Sequence, residues 1–137
     1  MLDALTGYLA GLPAFIAYFA TGLGLTIAFA VIYSWLTPHH EWRLIRANVP
    51  AAALAFGGSL LGFVLPLASA IVHSVSLLDC LTWGLVALVA QLATFGVLRL
   101  LLPGLPERIT NNEIASGSFV ALASIAVGLL NAASMVE

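Results

Sequence analysis

The chain has 137 residues, of which 62% are hydrophobic and 7% are charged, and its mean hydropathy is +1.12. A soluble globular domain carries about 25% charged residues, so this composition excludes one and indicates an integral membrane protein. The four basic residues, all arginine, are outnumbered by six acidic residues, which excludes a basic patch that binds nucleic acid.

Four uncharged apolar stretches are long enough to cross about 30 Å of hydrocarbon as helices, which takes about 20 residues. They cover residues 12–36, 50–72, 80–98 and 114–136. Each stretch is continuously apolar instead of alternating, which excludes the strands of a membrane barrel. The sequence therefore predicts an all-α integral membrane protein with four transmembrane helices in a single domain, residues 1–137.

The first eleven residues lead into the first span, and Gly11 and Pro13 are expected to interrupt the helix there. The apolar run that follows is too long for a signal peptide, and no basic residue precedes it, so we expect a retained helix. The aromatic residues near its end, including Tyr33 and Trp35, fit the belt at headgroup depth.

Pro38 ends the first span, because proline disfavours helical geometry in the residue before it. His39, His40 and Glu41 then offer two interpretations, a metal site or a solvated loop. Adjacent histidines point in different directions on a helix, and the chain has no second cluster of ligands, so we expect a loop without metal.

The second span begins at Pro50, a favoured first helical residue, with Asn48 as the expected cap. Small residues at helical spacing on the second and fourth spans predict close helix packing. The candidate packing residues are Ala51, Ala55, Gly58, Ser59, Gly62, Ser124 and Gly128. Pro66 breaks the hydrogen-bond ladder within the second span and is expected to kink it.

Two strongly polar side chains lie within the last two spans, Gln91 and Asn131. A polar amide in lipid needs a partner, so either residue can hold helices together or line a path for a solute. Cys80 is the only cysteine, which excludes an internal disulfide, and we expect a buried, inert thiol.

A shift of 65 positions aligns the two halves of the chain without a gap. It places Pro38 on Pro103, Arg43 on Arg108, Ser59 on Ser124, Pro66 on Asn131 and Ser69 on Ser134. We interpret this as two helix-pair repeats, about residues 12–73 and 78–137. Since each repeat has two spans, both run in the same direction, related by a pseudo-two-fold axis along the membrane normal.

The basic residues all lie on or beside the loops that join the first span to the second and the third to the fourth. The residues expected to orient the chain are Trp42, Arg43, Arg46, Arg99 and Arg108. The positive-inside rule places these loops in the cytoplasm and both termini in the periplasm.

Three segments carry a resemblance to a known family: residues 32–45 with Thr37-Pro38-His39-His40-Glu41-Trp42, the glycine-rich residues 53–62, and Asn131-Ala132-Ala133-Ser134-Met135. Together they resemble the YjfL family of small bacterial inner-membrane proteins, the domain of unknown function 350, over essentially the whole chain. The resemblance implies a multi-pass protein of the cytoplasmic membrane in two related halves, with no catalytic residue to transfer. It also implies an association with envelope-stress proteins.

Two function classes remain. The first is a structural, scaffolding or envelope-maintenance protein that contacts lipid and uses its small-residue faces to bind copies of itself or another membrane or membrane-associated protein. The alternative is a small channel or transporter with a path lined by Ser, Asn and Gln. No nucleophile with a nearby base, paired carboxylates or phosphate loop occurs, so we expect no enzyme, cofactor or catalytic residue.

Overall fold

A computed structural model describes residues 2–37 and 41–135. The helices in these ranges are α1 (Leu2–Leu36), α2 (Glu41–Arg46), α3 (Pro50–His73), α4 (Leu77–Leu101), α5 (Leu105–Thr110) and α6 (Ile114–Ser134). The four longer helices, α1, α3, α4 and α6, are long and apolar enough to span a membrane. The prediction of an all-α protein with four candidate spans is therefore confirmed.

The first helix is longer than the sequence predicted. α1 has 35 residues and includes Pro13, so the expected interruption at Gly11 and Pro13 is wrong. At 1.5 Å per residue the helix is about 52 Å long. A proline removes one hydrogen bond to the preceding turn, and the rest of the ladder stays closed in an apolar helix.

The most extensive helix contact joins α3 and α6. Its closest points are glycines: Gly117 lies against Ala51 and Gly58 lies against Ala121. Further along, Gly128 lies against Gly62. The position on α6 advances with the position on α3, so the two helices run parallel. We call this contact the α3–α6 seam.

The other two long helices pack on one side of the seam. α4 contacts both α3 and α6, while α1 contacts α3 and α4. Aromatic ring pairs hold α1 in place: the Phe29 and Phe63 rings stack with centroids 4.9 Å apart, and the Tyr33 and Phe95 rings are tilted with centroids 4.8 Å apart. Offset and tilted ring pairs at such distances add to the energy of burial.

The loops from α1 to α3 and from α4 to α6 meet at one end of the bundle. The Arg99 Nη1 atom donates to the Leu36 carbonyl at 3.2 Å, and the Ala51 amide donates to Asn112 Oδ1 at 3.1 Å. Each loop contains a short helix, α2 or α5, that the sequence did not predict. A helix of six residues has too few positions to show a periodic pattern.

Asn48 ends α2 instead of capping α3, so its expected role is wrong. Val49 is the residue before α3, and Asn48 has φ 64°. Asparagine tolerates this left-handed conformation and commonly follows a helix. Asn112 has φ 60° after α5, so the two loops end in the same way.

Candidate functional site

Each long helix contributes one buried polar side chain to a cluster inside the bundle. We call it the central polar cluster; its members are Tyr33 of α1, Ser59 of α3, Gln91 of α4 and Ser124 of α6. Tyr33 is 0% exposed and each of the other three is 2% exposed. All four spans therefore meet at one buried group of polar atoms.

Two close polar contacts connect three of these residues. The Ser59 and Ser124 hydroxyl oxygens are 3.5 Å apart across the seam. The Gln91 Nε2 atom donates to the Ser124 carbonyl at 3.2 Å. The Gln91 bond ties α4 to α6, which is the interhelical role that a polar amide can have in lipid.

Two atoms of the cluster have no hydrogen-bond partner among the described residues, the Tyr33 hydroxyl and Gln91 Oε1. The Tyr33 hydroxyl faces the Ser59 side chain without forming a hydrogen bond of normal geometry. Leaving a buried polar group unpaired costs about 1–3 kcal/mol, so the cluster is incomplete with protein atoms alone.

Glycines of the seam allow the helices to approach this closely. A Cβ atom at Gly62 would overlap the Ser124 carbonyl, and one at Gly128 would overlap the Gly62 carbonyl. A side chain at either position would therefore push α3 and α6 apart. Small residues at helix interfaces have this effect in membranes because packing, not the hydrophobic effect, holds the helices together.

The structure places the candidate packing residues inside one chain. All seven are buried: Ala51, Ala55, Gly58, Ser59, Gly62, Ser124 and Gly128. Their contacts are made within the bundle, and Gly58 also borders the open side of the seam.

A groove of about 460 Å³ is open on the side of the seam opposite α4. We call it the outer groove; it is lined by Ala53, Leu54, Gly57, Gly58, Leu61, Ser118, Ala121, Leu122 and Ile125. On α6, Ala123 and Val127 face α4, whereas Leu122 and Ile125 lie on the other side of the helix. The lining is mostly apolar.

The other two intramembrane candidates are separate from the cluster. Pro66 is buried within α3, which continues as a helix to His73. The Nδ2 atom of Asn131 is buried without a hydrogen-bond partner among the described residues. Asn131 is seven positions beyond Ser124, about 10 Å along the helix axis, so the structure brings Gln91, but not Asn131, to the serines.

The residues expected to orient the chain lie at the end where the loops meet. Trp42 is 59% exposed and makes an edge contact with Phe56 at 5.7 Å. Arg43 and Arg46 are exposed on α2, and Arg99 is exposed near the end of α4. Arg108 lies 3.9 Å from Glu113 and donates to the Pro103 carbonyl, contacts that fix the second loop.

Glu41 is the one buried carboxylate among the described residues, at 1% exposed. It accepts a hydrogen bond from the Thr37 hydroxyl and lines a pocket of about 260 Å³ with Ser34, Trp42 and Arg43. Desolvation by burial raises the pKa of Glu41 to about 7.

His39 and His40 lie outside the described residues. No group of three potential metal-ligating side chains occurs within residues 2–37 and 41–135. The two interpretations of the segment around Glu41, a metal site or a solvated loop, therefore remain predictions.

Tyr33 is the cluster residue that the sequence analysis missed, since we expected it in the aromatic belt. Trp35, two positions further on, is 80% exposed, which fits the belt. The buried residues of α1 are Gly22, Leu25, Phe29 and Tyr33. Their spacing of three and four is a helix face, a signal that predicts burial even in a helix that is apolar all round.

The comparisons with known proteins agree with the predicted resemblance. The model of the family described as Domain of Unknown Function (DUF350) matches residues 7–135. The chain is 50% identical over 124 residues to the UPF0719 inner membrane protein YjfL of Escherichia coli (strain K12), covering 90% of this chain and 94% of that protein.

A more distant relative comes from a different bacterium. The UPF0719 transmembrane protein YshE of Bacillus subtilis (strain 168) is 29% identical over 117 residues, covering 82% of this chain and 84% of that protein. No solved structure matches the chain. The match over most of the chain and the four candidate spans show a multi-pass inner membrane protein that belongs to the DUF350 family.

Proposed function

We propose that this protein is a self-associating membrane scaffold with a structural or envelope-maintenance role. The observation that carries the proposal is the outer groove, about 460 Å³ along the open side of the seam. Its occupant is a helix of a second copy, with the outer grooves of the two copies facing each other, and lipid covers the remaining apolar faces. Gly57 and Ala53 on the groove let another helix backbone come close, as small residues do in membrane helix pairs.

The internal repeat supports this assignment. We infer two helix-pair repeats, α1 with α3 and α4 with α6, which run in the same direction. The contacts of the seam fit the 65-position shift: Gly58 and Ala121 are 63 positions apart, and Ala51 and Gly117 are 66 apart. Such spacing is expected where equivalent helices pack in parallel.

The positions of α1 and α4 depart from the two-fold symmetry. α4 contacts α3 and α6 on one side of the seam. Two-fold symmetry would place the equivalent helix, α1, against α3 and α6 on the opposite side, at the outer groove. α1 instead packs on α3 and α4. A helix from a second copy in the outer groove therefore completes the arrangement that the repeat implies.

We infer that the loops carrying the arginines face the cytoplasm and that both termini face the periplasm. The support is that the two loops lie together at one end of the bundle, joined by the bonds from Arg99 to Leu36 and from Ala51 to Asn112. Basic residues at one end of the bundle favour the cytoplasmic side.

Disulfide crosslinking in native membranes tests the proposed interface. Leu54 and Leu122 line the outer groove, so Leu54→Cys and Leu122→Cys, each in a Cys80→Ser background, should give crosslinked dimers. Val89, which is 66% exposed on α4, provides the control Val89→Cys, which should stay monomeric. Monomers in all three variants would contradict the proposal.

The alternative, a small channel or transporter, has one observation in its favour. Buried polar atoms without partners occur at two levels, in the central polar cluster and at Asn131. A path for a small solute needs such groups. Flux into liposomes that is lost in Gln91→Leu and Asn131→Leu would support it, and absent flux in the natural protein would exclude it.

A further inference from the structure

We infer that a single water molecule is bound inside the bundle, where it joins Tyr33 to Gln91 within the central polar cluster. The inference does not depend on self-association or on transport. It rests on the complementary hydrogen-bonding needs of two buried side chains from different helices.

The two unpaired atoms need opposite partners. The Tyr33 hydroxyl group has a proton to donate, and Gln91 Oε1 can only accept. Neither atom has a protein partner among the described residues. One water molecule accepts from the tyrosine with its oxygen and donates to the amide with a proton, so it satisfies both at once.

The surrounding residues supply the remaining contacts. The Ser59 and Ser124 hydroxyls, 3.5 Å apart, lie in the same cluster and can each donate or accept. A buried water makes about three hydrogen bonds, and these two hydroxyls provide the third. A cation would leave the tyrosine proton without an acceptor, which favours water.

The amide of Gln91 is held in one orientation, which fixes where its oxygen points. Nε2 donates to the Ser124 carbonyl, so Oε1 is directed away from that atom. A methyl group at Gly62 would lie 3.1 Å from Oε1. Oε1 therefore lies beside the backbone of α3 at Gly62, next to the Ser124 carbonyl.

Aromatic rings separate the cluster from lipid. Tyr33 is packed between Phe56 and Phe95, with ring centroids at 5.6 and 4.8 Å. Neither phenylalanine offers a hydrogen-bonding atom. A water at this position is thus confined to the polar groups of the four spans and exchanges slowly with the solvent.

Hydroxyl-radical footprinting of the full chain in lipid nanodiscs tests the inference. X-rays generate radicals from water, so a buried side chain is oxidised only where a water touches it. We expect Tyr33 to be oxidised, as the exposed Tyr8 is, and buried Phe29 and Phe63 to stay unmodified. After rapid mixing into ¹⁸O water, Tyr33 should incorporate ¹⁸O more slowly than Tyr8.

Gln91→Leu removes the acceptor and should lower the oxidation of Tyr33 several-fold. The control is Thr94→Val one turn along α4, whose hydroxyl donates to the Ala90 carbonyl of its own helix, and it should leave Tyr33 oxidation unchanged. Unmodified Tyr33 in the natural protein would overturn the inference, and so would equal oxidation in Gln91→Leu. The oxidation of Tyr33 is measured first in the natural protein, so that measurement holds even if Gln91→Leu misfolds.

Discussion

Gly128 of α6 lies so close to Gly62 of α3 that a Cβ atom on Gly128 would overlap the Gly62 carbonyl. The two backbones are in direct contact at this point, four positions from Ser124 and three from Ser59. The geometry of the central polar cluster therefore depends on the separation of the two glycines.

Gly128→Ala should destabilise the protein by about 1–3 kcal/mol, the usual cost of overpacking a filled interior. The methyl group has no space, so the seam must widen. Thermal unfolding in detergent measures the loss. Gly96→Ala is the matched control, because a Cβ at Gly96 on α4 meets nothing within 4 Å. Equal unfolding temperatures for the two variants would contradict the close contact.

Asn112→Gly should cost about 1 kcal/mol, because it removes the side-chain acceptor of the Ala51 amide at the start of α3. Glycine accepts the positive φ, and the entropic cost of its greater backbone freedom is shared by the control. Asn48→Gly is the control, since Asn48 has φ 64° but does not cap α3, whose N-cap is Val49. Chemical denaturation should show a loss only for Asn112→Gly; equal losses would disprove the capping role.

The burial of Glu41 predicts a dependence of stability on pH. Its pKa rises from 4.5 to about 7 in the folded protein. The folded state therefore holds the proton more tightly, and this contribution is complete below pH 4.5 and lost as the pH rises through 7. At about 1.4 kcal/mol per pKa unit, the loss is roughly 3 kcal/mol.

Glu41→Gln has no titrating group at this position and provides the comparison. Unfolding free energies of both proteins, measured from pH 4 to pH 8, should differ progressively more above pH 5, with the natural protein falling relative to the variant. Parallel curves would show that Glu41 titrates normally.

Labelling of intact cells tests the proposed orientation. In a Cys80→Ser background, Val75→Cys, in the loop between α3 and α4, should react with a membrane-impermeant maleimide from outside. Asn111→Cys, after α5, should react only when the cells are opened. The opposite pattern would place the arginines in the periplasm and contradict the positive-inside assignment.

The sequence predicted the four spans because hydrocarbon thickness imposes a minimum length of about 20 apolar residues on a membrane helix. It failed at α2 and α5, which are held by contacts with other helices and by asparagines in the left-handed conformation. It also predicted an interruption at Gly11 and Pro13, although α1 continues through both residues.

The site was only partly predictable for a related reason. Gln91 is conspicuous as a polar residue in an apolar run, and the shift of 65 positions pairs Ser59 with Ser124, which are 3.5 Å apart in the structure. Tyr33 is not conspicuous, because tyrosine fits both the headgroup belt and the interior. Whether Tyr33 is buried depends on the rotation of α1 about its own axis. A helix that is apolar all round carries only a weak sequence signal for that rotation.

The most direct test of the central claim, self-association through the outer groove, is the number of copies in a membrane patch. Single-molecule photobleaching of fluorescently tagged protein in native nanodiscs counts them. Gly57→Leu fills the groove, and Gly96→Leu adds the same side chain on α4; a Cβ at either glycine meets nothing within 4 Å. We predict two or more copies for the natural protein and Gly96→Leu, and one for Gly57→Leu. A monomeric natural protein, or an unchanged number in Gly57→Leu, would contradict the account.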